Sequence, residues 1–333
     1  MSKRLHTRYL GMDLDNPLMP SASPLTATLA GALRLEEAGA GAIVMHSLFE
    51  EECSRDHELL HHFLYEQEIG HYEADDYLPV PDAFKTAEEH YLERLQAMKA
   101  GLQIPVIASL NGVSPRGWAD HARQLAEAGA DALELNVYHI AASVHESGME
   151  VEQRYLSVLN EVRRAVPDLP LAVKLGACFS SPVHLAAQLE AQGANAVVLF
   201  NRFLEPTLDL ETLKIVPQLK LSTADELNER LRWTSIMRAQ VGLDIAITGG
   251  VHSAEGVLKT QLVGAQVAQL ASVLMQRGES MLTEMKTAML QWMDEKEYDS
   301  LDQLRGSVCH ANSADPSAWE RANYLDTLNL WQP

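Results

Sequence analysis

Short, wholly apolar runs recur along the chain, and the stretches between them have helical periodicity. One set of runs follows a glycine stop: AGAGAIVMHS (38–47), AGADALELNV (128–137), QGANAVVLFN (192–201) and VGAQVAQLAS (263–272). A second set alternates with it: IPVIASLN (104–111), LPLAVKLG (169–176) and LDIAITGG (243–250). With residues 18–22 these runs predict eight strands, and residues 118–128, 153–165 and 183–192 predict amphipathic helices between them. Strands that are apolar along their whole length are buried on both faces, as in parallel α/β sheets. Eight of them, of two alternating kinds, predict an α/β chain closed into a (β/α)8 TIM barrel. An open doubly wound sheet is the competitor, but no early strand carries a glycine-rich dinucleotide fingerprint.

Residues 246–274, AITGGVHSAEGVLKTQLVGAQVAQLASVL, organise the rest. An apolar run ends in Gly249-Gly250, Ser253 stands at a helix N-cap, and Gly264 stops that helix. The next run ends in Ala271-Ser272. Two neighbouring parallel strands thus bring small residues to their carboxyl ends, where bare N–H groups suit a phosphate. A glycine pair alone only turns the chain; the pair beside a small-Ser end says more. Residues 8–19 alternate around Gly11 and predict an N-terminal hairpin. Two long insertions break the rhythm at the C-terminal face: about 48–101, acidic and His-rich with YLPVPDAF at 77–84, and about 204–232, with Pro206 and Pro217. Residues 298–305, in the tail, predict one more small helix. No low-complexity linker divides the chain, so residues 1–333 are expected to form one barrel domain.

Composition narrows the partners. Hydrophobic residues make up 47% of the chain, which excludes a disordered protein. Lys and Arg number 26 against 46 Asp and Glu, a net charge of −20. Nucleic acid and anionic membranes are therefore not expected as partners, although a local site can still hold an anionic small molecule. No apolar run spans a bilayer, and the first residues lack the apolar core of a signal peptide, so a cytoplasmic location is expected. Three scattered cysteines, Cys53, Cys178 and Cys309, make no disulfide framework.

Polar residues terminate the apolar runs where a barrel carries its active site. They are Ser21-Ala22-Ser23, His46-Ser47, Ser109 and Asn111, Asn136, Tyr138 and His139, Lys174, Asn201-Arg202, Gly249-Gly250, and Ala271-Ser272. One such residue is an ordinary turn residue; a ring of them is a site. Lys174, inside LAVKLG, is the most telling, because a lysine in such a strand is buried only when paired. Placed beside amides it stabilises negative charge, for instance on a reduced flavin. The alternative is a lysine snorkelling from a strand end.

These residues resemble the dihydroorotate dehydrogenase family, FMN-binding (β/α)8 barrels, over nearly the whole length. The resemblance rests on NPLMPSAS, AGAGAIVMHS, ALELNV, VKLG, LFN, ITGGVHSAEGVLKTQLVGAQ with ASVL, and YDSLDQLRG. It implies an FMN cofactor whose phosphate lies on Gly249, Gly250, Ala271 and Ser272. It places flavin contacts at Ser21, Ala22, Ser23 and Ser47, and flavin- or substrate-facing groups at Asn136, Lys174 and Asn201. The start resembles the soluble class, and a homodimer is expected.

The chain also departs from the family pattern. The fourth-strand loop, Asn-x-Ser-Cys/Ser-Pro-Asn in the family, is Asn136-Val137-Tyr138-His139-Ile140-Ala141 here, with His139 at the position of the catalytic base. An imidazole titrates near neutrality and can serve as that base. Thr-Lys-Ser after strand two is Met45-His46-Ser47, and the Asn-rich orotate loop is absent. The expected function is an FMN-dependent oxidoreductase acting on a C–H/C–H bond of a small substrate, with catalytic His139 and Lys174 and an unnamed electron acceptor. Weak or absent dihydroorotate turnover is expected, so a place in pyrimidine biosynthesis holds only so far as dihydroorotate is a substrate. Two other readings stand beside it: a flavin-binding subunit that serves a redox partner without substrate chemistry, and a flavin-free phosphate-binding lyase or isomerase. Cys53, His57 and His61 are spaced four apart, with His62 and His71 nearby. Along one helix such ligands spread over about 12 Å, so a solvated lid is expected and no metal site.

Overall fold

The computed structural model describes residues 3–55, 85–112, 117–202 and 204–330. The chain opens with an antiparallel hairpin, β1 (Thr7–Tyr9) and β2 (Met12–Leu14), turning at Leu10 and Gly11. Eight parallel strands follow: β3 (Leu18–Pro20), β4 (Ile43–Val44), β6 (Val106–Gly112), β7 (Ala132–Val137), β8 (Leu171–Leu175), β9 (Ala196–Leu199), β12 (Asp244–Thr248) and β13 (Val267–Leu270). Their order is β3-β13-β12-β9-β8-β7-β6-β4, with every neighbour parallel. β3 and β4 face each other across the seam, where the Gly41 N–H donates to the Leu18 carbonyl at 2.8 Å. The sheet is a nearly closed (β/α)8 barrel, and the open doubly wound alternative is set aside.

Helices form where the periodic stretches are, and their ends follow the capping residues. α1 (Leu29–Glu37) leads into β4 and α2 (Ala87–Gly101) into β6. α3 (Trp118–Glu127), α4 (Gly148–Ala165), α5 (Pro182–Ala191), α6 (Leu227–Arg238) and α7 (Ala254–Leu262) separate the later strands. α8 (Ser272–Arg277) and α9 (Met281–Glu295) follow β13. The Ser253 hydroxyl accepts from the Gly256 N–H at the start of α7. Thr86 with Glu89 and Ser147 with Glu150 close capping boxes on α2 and α4. The expected small helix is Leu301–Leu304, N-capped by Ser300, and one further helix, Ala322–Asn329, follows it.

The two insertions hold more regular structure than their sequence suggests. β5 (Leu48–Phe49) pairs with the upper end of β6, and α2 is the barrel's own helix rather than part of an excursion. Residues 204–232 contain a second hairpin, β10 (Thr207–Asp209) and β11 (Lys214–Val216), and the first half of α6. YLPVPDAF (77–84), His57, His61, His62 and His71 lie outside the described residues; Cys53, the remaining member of that constellation, is buried. No helix among the described residues is long and apolar enough to cross a membrane.

Inside the barrel the bottom is apolar and the top is polar. Ala42, Val44, Ile107, Ala132, Ala172, Ala196, Val198, Ala246 and Val267 form one buried cluster with Tyr9, Leu10 and Leu14 of the hairpin. Small alanines on four strands leave the room that the Tyr9 ring fills. Side chains alternate along a strand, so the next inward positions on β7, β8 and β13 are Glu134, Lys174 and Gln269.

Candidate functional site

The carboxyl ends of the strands surround a cavity of about 780 Å³, a size typical of small-molecule sites. Ser21, Ala22, Ser23, Ser47, Asn136, Lys174, Asn201, Gly249, Gly250, Ala271 and Ser272 all line it. Eleven residues spread over seven strand ends thus converge on one space, because every parallel strand ends on the same side.

Its floor is a buried polar cluster. Lys174 is 7% exposed and Glu134 1% exposed, so the snorkelling alternative does not hold. The Lys174 ammonium donates to Glu134 Oε1 at 3.2 Å, and the Gln269 amide donates to Glu134 Oε2 at 2.6 Å. One carboxylate therefore holds a cation and an amide side by side. An ammonium carries three donors, and Glu134 takes one of them. Gln269 Oε1 is buried without a hydrogen-bond partner among the described residues. Lys174 and Gln269 both line the cavity, so the floor offers spare donors next to an unmet acceptor. Above it, Asn201 Nδ2 donates to Asn136 Oδ1 at 2.6 Å, and Ser47 Oγ meets Ser109 Oγ at 2.8 Å.

The far wall is the glycine turn after β12. Gly249 and Gly250 have φ of +83° and +81°, a region that disfavours any side chain. A Cβ on Gly250 would lie 2.4 Å from the Leu227 nitrogen, and one on Gly249 would lie 3.0 Å from Arg230 Nη2. The turn is propped from beneath by Arg230, 5% exposed, which donates from Nε to the Thr248 carbonyl and from Nη1 to the Glu226 carbonyl, both at 2.6 Å. Ser272 Oγ accepts from the Ser222 N–H at 3.0 Å, and Ser222 Oγ meets His252 Nε2 at 3.1 Å. Burial pushes the His252 imidazole below its ordinary value. A cradle of bare glycine backbone beside the Ser272 hydroxyl, over a buried guanidinium, suits a phosphate group. In the same cavity Lys174 and Gln269 would offer a donor and an acceptor to a bound heterocycle.

His139 is placed elsewhere. It does not line the cavity; its Nε2 faces both carboxylate oxygens of Glu146, at 2.8 and 3.0 Å. Arg154 donates to the same carboxylate at 2.8 Å, and the two partners hold Glu146 below the usual carboxylate range. Tyr138, one residue earlier, does line the cavity, and its hydroxyl accepts from the Leu204 N–H at 2.9 Å. His46, two residues past β4, lines the cavity with Glu51 and Glu52. Its imidazole is pushed down mainly by burial.

Glu134, Gln269 and Arg230 are absent from the set that the sequence reading singles out. The first two carry the signal that marked Lys174, a polar residue inside an apolar strand. Arg230 carries none, since a lone arginine on a polar helix is ordinary.

No protein-family model matches the chain. Individual curated proteins do. The catalytic subunit of dihydroorotate dehydrogenase B (NAD(+)) from Methanosarcina acetivorans is 25% identical over 300 residues, 89% of this chain and 93% of that protein. Dihydroorotate dehydrogenase A (fumarate) from Limosilactobacillus reuteri is 31% identical over 182 residues, 51% of this chain and 57% of that protein. The NAD-dependent dihydropyrimidine dehydrogenase subunit PreA from Escherichia coli is 25% identical over 332 residues, 92% of this chain and 77% of that protein.

Proposed function

Because the chain is a divergent, dihydroorotate dehydrogenase-like barrel, we propose that it is an FMN-dependent oxidoreductase acting on a CH–CH bond of a small substrate. In this reading residues 1–333 are one flavin-binding unit. Gly249, Gly250, Ala271 and Ser272 would hold the phosphate, and Ser21, Ala22, Ser23, Ser47, Asn136, Asn201, Lys174 and Gln269 would hold the rest of the cofactor. Bound FMN supplies a two-electron acceptor for hydride taken from carbon.

The chain's own residues do the rest. Lys174, fixed by Glu134, stabilises negative charge on the cavity floor. The Asn136–Asn201 pair orients groups above it. The observation that carries this reading is the meeting, in one cavity, of a glycine phosphate cradle and a floor with an unmet acceptor beside an ammonium.

The second reading, a flavin subunit serving a redox partner, is favoured by the position of His139. Its imidazole is held by Glu146, so a base role requires the loop after β7 to swing inward. Two of the relatives described above are named as subunits, one of them a catalytic subunit, which supports a redox partner and not the loss of substrate chemistry. The absent Asn-rich loop and Ala141 remove amides that would hold a planar polar pyrimidine, and such losses cost discrimination by orders of magnitude. The test is anaerobic stopped-flow mixing of the oxidised protein with dihydroorotate and with a panel of other CH–CH substrates. Slow or absent bleaching by dihydroorotate, with rapid saturable bleaching by another compound, is expected. Bleaching only by a reduced protein partner would select the second reading. Rapid bleaching by dihydroorotate that is lost in His139→Ala would restore His139 as the base and overturn the substrate argument.

A further inference from the structure

Behind the glycine turn stands a titratable group that the flavin reading leaves unused. His252 comes two residues after Gly250 and directly before Ser253, the N-cap of α7. Its Nε2 meets Ser222 Oγ at 3.1 Å. Ser222 is 3% exposed and lines the cavity, and its N–H donates to Ser272 Oγ at 3.0 Å. A chain of polar contacts thus runs from the imidazole through Ser222 to the cradle. Ser272 already accepts one hydrogen bond there, so its own O–H remains to donate to an anion.

The imidazole is balanced between two charge states. Burial pushes it down, whereas the Glu226 carboxylate and the Ser222 backbone push it up. Glu226, the residue before α6, is shared with Arg202 at 2.9 Å and Arg230 at 3.7 Å, so its pull is partly neutralised. Glu255 on α7 is turned to Lys259 at 2.6 Å. In the protein alone burial prevails. A phosphate monoester carries close to two negative charges near neutral pH, its second ionisation lying at about 6. On Gly249 and Gly250, in a partly dry site where charges act strongly, it favours the charged ring. A protonated imidazole can only donate. Ser222 Oγ then accepts from it, and the Ser222 hydroxyl proton turns to the anion.

We propose that Ser222 and His252 make the cradle a proton-linked phosphate site, in which a phosphate monoester binds together with one proton held on His252. The proposal rests on the cradle assignment made above and adds a positioning residue to it. Linkage fixes the sign. The imidazole's value with the anion bound lies above its value without it, so binding takes up a proton. Affinity is therefore greatest below the free value and declines as pH rises through the bound one. Each unit by which the anion raises that value is worth about a factor of ten in affinity across the window.

Fluorescence titration of the flavin-stripped full chain with FMN, from about pH 5 to about pH 8, tests it. The comparison is His252→Gln, which keeps a donor near Ser222 but does not titrate. From the basic to the acid end the wild type is expected to gain about tenfold in affinity relative to the variant. Riboflavin, which lacks the phosphate, is expected to bind with the same pH dependence in both. A second measurement needs no variant: NMR titration of the His252 ring in the wild type, whose midpoint is expected to rise when inorganic phosphate is added. A midpoint that neither phosphate nor FMN moves, or a riboflavin profile that differs between the two proteins, would overturn the proposal. Tight FMN binding with one pH profile in both proteins would overturn it and leave the flavin reading standing. A midpoint raised by inorganic phosphate in a protein that binds no FMN would support it and remove the flavin reading.

Discussion

Lys174 shows how far one residue can be read without its partners. A lysine in an apolar strand demands a counter-charge, but the partner, Glu134, is 40 residues away on the neighbouring strand. Gln269, the other ligand of that carboxylate, is 135 residues away. Pairing of this kind is set by barrel closure, so local pattern shows the need and not the answer. Removing one member of a buried ion pair leaves the other uncompensated, at a cost of about 3–5 kcal/mol. Lys174→Met and Glu134→Gln are each expected to lose stability in that range by urea denaturation. Lys174→Met is also expected to lower the flavin potential in a spectroelectrochemical titration, since a cation beside the reduced ring is gone. An unchanged potential would place the flavin elsewhere.

His46 belongs to the same scale. Burial is the main cause holding its imidazole below the ordinary value, with a smaller opposing influence from Glu52. The unfolded chain then binds a proton more readily than the folded one, so stability rises with pH between the two values. That contribution is complete above the unfolded value of about 6.5 and is lost as pH falls from there through the lower folded value. The His46 ring resonances are expected to titrate with a midpoint below that value. His46→Asn is expected to flatten the acid side of the stability profile. A midpoint above the ordinary value would reverse the sign and count against the burial argument.

At the scale of elements, the eight strands were legible because each is an apolar run ended by a small or polar residue. Their lengths were less so: residues 192–201 yield only Ala196–Leu199 as strand. The hairpin β1–β2 was also legible, but not its task. Nothing local says that Tyr9 inserts into the barrel bottom, because the space there is made by Ala132, Ala172, Ala196 and Ala246 on four distant strands. The Tyr9 ring is fully buried and its hydroxyl has no hydrogen-bond partner among the described residues. Tyr9→Ala is therefore expected to cost about 3–5 kcal/mol, as for other large aromatic truncations. Tyr9→Phe removes an unmet hydroxyl and is expected to be neutral or to stabilise by about 1 kcal/mol. A large loss in Tyr9→Phe by thermal denaturation would mean that the hydroxyl has a partner such as bound water.

At the scale of the molecule, the candidate site was largely legible because parallel strands deliver every carboxyl end to one face. Fifteen of the strand-end residues selected from the sequence line one cavity. His139 does not, since its loop after β7 bends toward Glu146 at the head of α4. A loop's direction is not written in its residue types. The most direct test of the central claim is the mass and stoichiometry of what the purified protein releases on acid precipitation, compared with Ser272→Glu. The variant sets a carboxylate where the phosphate is proposed to lie, and like charges repel strongly in a partly dry site. The wild type is expected to be yellow and to release one FMN per chain, and the variant to be folded and colourless. A wild type that is colourless and cannot be reconstituted with FMN, or a variant that binds it equally well, would contradict the account.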